Sequence, residues 1–89
     1  GELMDEQAPQ ALIDKILESA RAVEGVESVE KCRVRKSGLT LIADLHVRVH
    51  GDMSVAAGHF ISHLVKDALM AGGHHLSDVT VHIEPTSEA

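Results

Sequence analysis

The chain has 89 residues, with 8 Lys+Arg against 14 Asp+Glu for a net charge of −6, and Phe60 is its one aromatic ring besides the histidines. That length holds one small domain with a marginal core, and the acidic balance without stacking rings argues against a nucleic-acid surface. A single cysteine, Cys32, excludes an internal disulfide, and the sequence shows neither an apolar run near the roughly 18 residues of a membrane span nor a signal-peptide pattern.

In chain order, Gly1-Glu2-Leu3 has the look of a tag remnant ahead of Met4. Met4 then reads as a native start and the chain as a whole small protein, with a domain excised from a longer chain as the open alternative. Residues 1–7 are expected to be loose. A first helix is predicted from Ala8 to Val23, with Pro9 in its first turn and Gly25 at its stop. Its apolar stripe is Leu12, Ile16, Ala20 and Val23, with Ile13 and Leu17 beside it.

A strand is predicted from Val29 to Lys36, in which Cys32 and Val34 alternate with Lys31, Arg33 and Arg35. Ser37-Gly38 is a turn signal. The clearest signal follows, from Leu39 to Val49. Leu39, Leu41, Ala43, Leu45, Val47 and Val49 share one parity, and Thr40, Ile42, Asp44, His46, Arg48 and His50 share the other. Such a strand has one core face and one mostly polar face.

Asp52 or Ser54 caps a second helix, Val55 to Ala71, with a stripe of Ala57, Ile61, Leu64 and Ala68, and Phe60 and Val65 alongside. Gly72-Gly73 stops it, and His74-His75 falls in the loop beyond. A last strand, Val79 to Ile83 or Glu84, turns Val79, Val81 and Ile83 to the core and Thr80, His82 and Glu84 away. Pro85 closes it, and residues 86–89 are expected to be a disordered tail.

The order is α-β-β-α-β. This is an α+β fold, a two-layer sandwich with two helices on one face of a three-stranded mixed sheet, like a ferredoxin-like unit without its first strand. The first two strands form an antiparallel hairpin. The crossover through the second helix sets the third strand parallel to its neighbour.

The compositional anomaly is seven histidines. With no disulfide possible, a domain this small draws stability from a metal or a partner subunit. With the apolar parity of each strand facing the helices, the other parity lies uncovered. It carries His46 and His50 from the middle strand and His82 and Glu84 from the last. Adjacent strands lie about 5 Å apart, so these imidazoles come within reach of one ion. His59, just after the middle strand, is expected to reach the same edge. Imidazole and carboxylate suit Zn²⁺, and imidazole also suits Cu²⁺, Ni²⁺ or Fe²⁺.

Each feature has a plainer reading. His46 and His50 alone fit an ordinary solvent-facing strand. His59 and His63 at i, i+4 fit either a chelate or an exposed helix face. His74-His75 reads as a loop pair, Arg33-Val34-Arg35-Lys36 as a solvated strand face, and Cys32 as a small core residue. The argument for metal is the convergence of several imidazoles and a carboxylate on one face. No Ser-His-Asp or Cys-His signature and no phosphate-cradling glycine loop is present, so an enzyme is not expected.

Several segments taken in order carry a family resemblance: Gly25-Val26, then Cys32-Arg33-Val34-Arg35-Lys36-Ser37-Gly38, Leu45-His46-Val47, Ala57-Gly58-His59, and Thr80-Val81-His82-Ile83-Glu84-Pro85. Across residues 8–85 the chain resembles the cytoplasmic C-terminal domain of cation diffusion facilitator transporters. The resemblance implies a metallochaperone-like fold that pairs into a V-shaped homodimer. It implies divalent cations at the dimer interface that draw the arms together and regulate transport. It makes His46 the second-strand ligand, His59 the helix ligand, His82 the third-strand histidine and Glu84 the acidic ligand. Glu30 stands where the family has a further histidine and is carried over as a carboxylate metal ligand, although its parity with Cys32 and Val34 points it to the core unless the strand begins after it.

The reading is a cytoplasmic, non-enzymatic, homodimeric domain that binds divalent metal, with Zn²⁺ expected and other divalent transition metals open. It acts in sensing, buffering or transport regulation. His50, His63, His74 and His75 are candidates for peripheral sites. A full-length transporter is a possible partner, and nucleic acid and direct membrane insertion are not expected. The rival is a metal-free interaction or small-ligand module that pairs through its sheet face.

Overall fold

The computed structural model describes residues 8–86, so the expectations for residues 1–7 and 87–89 fall outside it. Five elements follow in the expected order: α1 (Gln10–Arg21), β1 (Ser28–Ser37), β2 (Thr40–Val49), α2 (Val55–Ala71) and β3 (Leu76–Pro85). The sheet order is β1-β2-β3. β1 and β2 run antiparallel, and β2 and β3 run parallel. α1 packs on β1 and on α2, and α2 packs on β3. Together they make the two-layer sandwich that the element order predicts.

β2 is the central strand, and its alternation survives intact. Ala43, Leu45, Val47 and Val49 are buried, with Asp44, His46 and Arg48 between them. The expected start at Leu39 is wrong. Ser37 pairs with Thr40, leaving Gly38-Leu39 as a two-residue hairpin loop. Gly38 sits at φ +65, a conformation open to glycine without a Cβ penalty, and Leu39 is fully exposed.

β1 departs from simple alternation. Glu30 pairs with His46 and Arg33 with Asp44, so Lys31 and Cys32 together oppose a single residue. Lys31 takes φ +52. This β-bulge inserts one residue and reverses the parity upstream of it. Val29 and Val34, five apart, are therefore both buried, and Glu30 turns to the uncovered face instead of the core. Cys32 is half-buried against the core cluster. Burial, then the Asp44 carboxylate, push its thiol pKa up, with Arg21 acting the other way.

α1 is shorter than expected at both ends, and α2 keeps its expected bounds but turns a different stripe to the core. α1 starts behind Pro9 and buries Ile13, Ile16 and Ala20. In α2 the Ser54 side chain accepts a hydrogen bond from the Ala57 N–H at 3.0 Å, the N-cap that its residue type favours. The buried stripe is Gly58, Ile61, Val65 and Leu69, not Ala57, Leu64 and Ala68. Phe60 is 63% exposed. Outside the side that carries His59, Ser62, His63, Lys66 and Asp67, α2 is apolar over a wide arc, so its pattern admits more than one stripe, and the sheet selects the one with Gly58. A Cβ there would lie 3.4 Å from Ile83 Cγ2, which lets the helix settle close on β3.

His74 is not a free loop residue. It is 9% exposed, with Nε2 3.4 Å from Ser19 Oγ of α1, and it lies over Gly72, where a Cβ would come within 2.6 Å of that nitrogen. The Thr86 N–H donates to the Val49 carbonyl at 2.9 Å, which fastens the chain just beyond β3 to the end of β2.

Candidate metal centre

The parallel β2–β3 register sets His46 opposite His82 and Arg48 opposite Glu84. The antiparallel β1–β2 register sets Glu30 beside His46. One row across the sheet is thus Glu30, His46, His82, all on the side away from the helices. The two imidazoles stack with centroids 4.5 Å apart and planes inclined by 19°. His82 Nε2 lies 3.3 Å from Asp44 Oδ1. Donor atoms of Asp44, His46 and His82 all fall within 4.8 Å of one another, a spacing compatible with one cation.

Glu84 approaches from the other side of His46, with Oε2 2.5 Å from Nδ1. That hydrogen bond, then the charges of His46, Arg48 and Lys31, hold its carboxyl below the usual carboxylate range against an opposing desolvation effect. With Nδ1 engaged, Nε2 is the nitrogen His46 offers to an ion. This is the usual way an outer carboxylate fixes the tautomer and orientation of a ligating histidine. Arg48 lies between two carboxylates, its Nε 3.8 Å from Glu84 Oε1 and 3.7 Å from Glu30 Oε2. The nitrogen is buried and has no hydrogen-bond partner among the described residues. Its charge keeps this acidic corner from repelling itself.

The structure therefore brings together His46, His82 and Glu84, with Glu30 beside them on Arg48. Within one protomer it does not bring His59 to His46 and His82. His59 projects from α2 at the β3 edge of the helical layer, where it meets His63, and it lines a cleft of about 500 Å³ together with His50 and Glu84. Asp44 is the donor that sequence reasoning passed over. The signal was present: it precedes His46 by two on the uncovered parity. Only the β3 register shows that it meets His82.

A family model described as "Cation efflux protein, cytoplasmic domain" matches residues 8–86. The chain belongs to this family. The family is named for dimerisation, and it is the domain of a transporter and not of an enzyme. Metal tolerance protein 2 of Oryza sativa subsp. japonica is 32% identical over 82 residues, which is 92% of this chain and 21% of that protein. The cation-efflux pump FieF of Salmonella typhi is 27% identical over 85 residues, 96% of this chain and 28% of the pump. The chain thus spans less than a third of the length of these relatives. Among solved structures, a nickel form of a MamM CTD variant superposes with a TM-score of 0.84 at 25% identity, covering 89% of this chain and 100% of that one. A cadmium form of another variant gives 0.83 at 27% identity, covering 88% and 96%. No helix of the described efflux-protein domain is long and apolar enough to cross a membrane.

Proposed function

We propose that this domain binds divalent transition metal, Zn²⁺ first among them, and that binding draws two copies together to regulate cation transport, or to sense or buffer the ion. The observation that carries the reading is the Asp44–His46–His82 cluster on the uncovered sheet face. The nickel and cadmium forms of structural relatives support it, as do the metal-tolerance and cation-efflux names of the sequence relatives. Two imidazoles and a carboxylate are the donor set of an open zinc site, which keeps a fourth position for water or another ligand. We assign that position to a donor from a second copy of the chain, with His59 as first candidate and Glu84 as the residue that orients or joins the set. An ion held by both copies binds the closed pair better than the open one, so it shifts the population toward closure.

A zinc-soaked crystal measured at the zinc edge tests the site, and sedimentation velocity tests the bridge. The expected result is an anomalous peak touching His46 and His82, and a dimer at micromolar protein with saturating Zn²⁺. A peak elsewhere refutes the site. A monomer under those conditions refutes bridging.

A further inference from the structure

His59 and His63 stand one turn apart on α2. Their Nε2 atoms face each other at 3.0 Å, and their rings meet edge to face at 86° with centroids 4.5 Å apart. Both side chains are exposed and beside a shallow depression of about 290 Å³ between α2 and β3, whose other polar walls are Ser62, Lys66, Asp78 and Thr80. Lys66, the one cationic group among the described residues of these walls, is already paired with Asp78 at 3.4 Å. Two facing imidazole nitrogens need one proton between them, because two protons clash and none leaves two lone pairs opposed. A metal ion satisfies both lone pairs at once.

We propose that His59 and His63 form a second, intrahelical metal site, distinct from the sheet cluster, that takes a tetragonal cation, Cu²⁺ or Ni²⁺. Imidazole nitrogen suits both ions, and by the Irving–Williams order Cu²⁺ binds it most tightly of the first-row divalent metals. Tetragonal sites with nitrogen donors belong to Cu²⁺ and Ni²⁺, with water in the remaining positions. The helix supplies the rigidity, since residues at i and i+4 share a face with adjacent side chains. His59 serves one ion at a time, so an ion that bridges two copies through His59 excludes copper from this pair. The site itself does not depend on the bridging reading.

The test uses the full chain carrying His46→Ala and His82→Ala, titrated with Cu²⁺ and followed by electron paramagnetic resonance. One copper per chain should remain, with splitting from two imidazole nitrogens. Adding His63→Ala should weaken it at least tenfold and leave one nitrogen or none. Alanine at this exposed helical position favours the helix, so the fold is kept. In the chain without the His46 and His82 changes, His63→Ala should lower the copper stoichiometry by one equivalent wherever a bridging ion does not hold His59. Residual copper that is indifferent to His63→Ala in both backgrounds overturns the site, as does the absence of copper binding at micromolar metal.

Discussion

Replacing His82 by alanine separates a metal site from a surface stack. Without metal the change should cost little. His82 and Asp44 are 48% and 42% exposed, and an ion pair that open contributes at most a few tenths of a kcal/mol after screening. The chelated proteins should therefore melt within about 4 °C of each other. With Zn²⁺ at one hundred times its dissociation constant, a site present only in the folded state adds about 2.7 kcal/mol. For a domain of this size that is a rise of about 10–20 °C. His82 is one of three donors in the cluster, and its loss should weaken zinc at least as much as the hundredfold that losing an outer-shell partner can cause. The same zinc concentration then sits near the new dissociation constant. The gain shrinks to about 0.4 kcal/mol, or 2–3 °C. Scanning calorimetry of both proteins, with Zn²⁺ and with chelator, gives all four melting temperatures. If His82→Ala keeps the full zinc shift, or if the unsubstituted domain shows none, the assignment of the sheet cluster as the zinc site is wrong.

Acid should act through Glu84. Its folded carboxyl releases its proton at lower pH than the unfolded one, so between those values the unfolded chain holds more protons and acidification favours unfolding. The contribution is complete above the ordinary carboxylate range and is lost as pH falls through the lowered folded value. Melting temperature followed from pH 6 to pH 2 should fall more steeply in the unsubstituted domain than in Glu84→Gln, and coincident slopes would remove the link to His46. At the bulge, Lys31 holds φ +52, a left-handed conformation that costs a residue with a Cβ about 1–2 kcal/mol. Glycine regains most of that and forfeits about 0.4–1 kcal/mol in unfolded-state entropy. Urea denaturation of Lys31→Gly should show equal or higher stability, and a clear loss would mean the Lys31 side chain contributes what its backbone costs.

The uncovered face was legible because β2 alternates over its whole length, and period-2 patterning is a local property of one strand. That alone placed His46 opposite the core, and the same parity in β3 placed His82 and Glu84. The hairpin and the order of elements followed from glycines and from the change of hydrophobic period. Glu30 and His59 were not legible for two different reasons. Glu30 reaches the face only through an inserted residue at Lys31-Cys32, and the one trace of it in the sequence, Val29 and Val34 at an odd spacing, does not say where the extra residue falls. His59 follows the rotation of α2, and a helix whose apolar surface is wider than the stripe it buries does not say which part of that surface will meet the sheet.

The sequence by itself determined the five elements, the two-layer class and a solvent-facing row rich in imidazole, because each depends on contacts between near neighbours in the chain. Tertiary structure decided which donors meet. The parallel β2–β3 register sets His82 on His46 and beside Asp44, the bulge turns Glu30 outward, and the packing of Gly58 on Ile83 leaves His59 with His63. Those outcomes rest on hydrogen-bond registry and close packing between segments far apart in the chain, quantities that no single segment encodes.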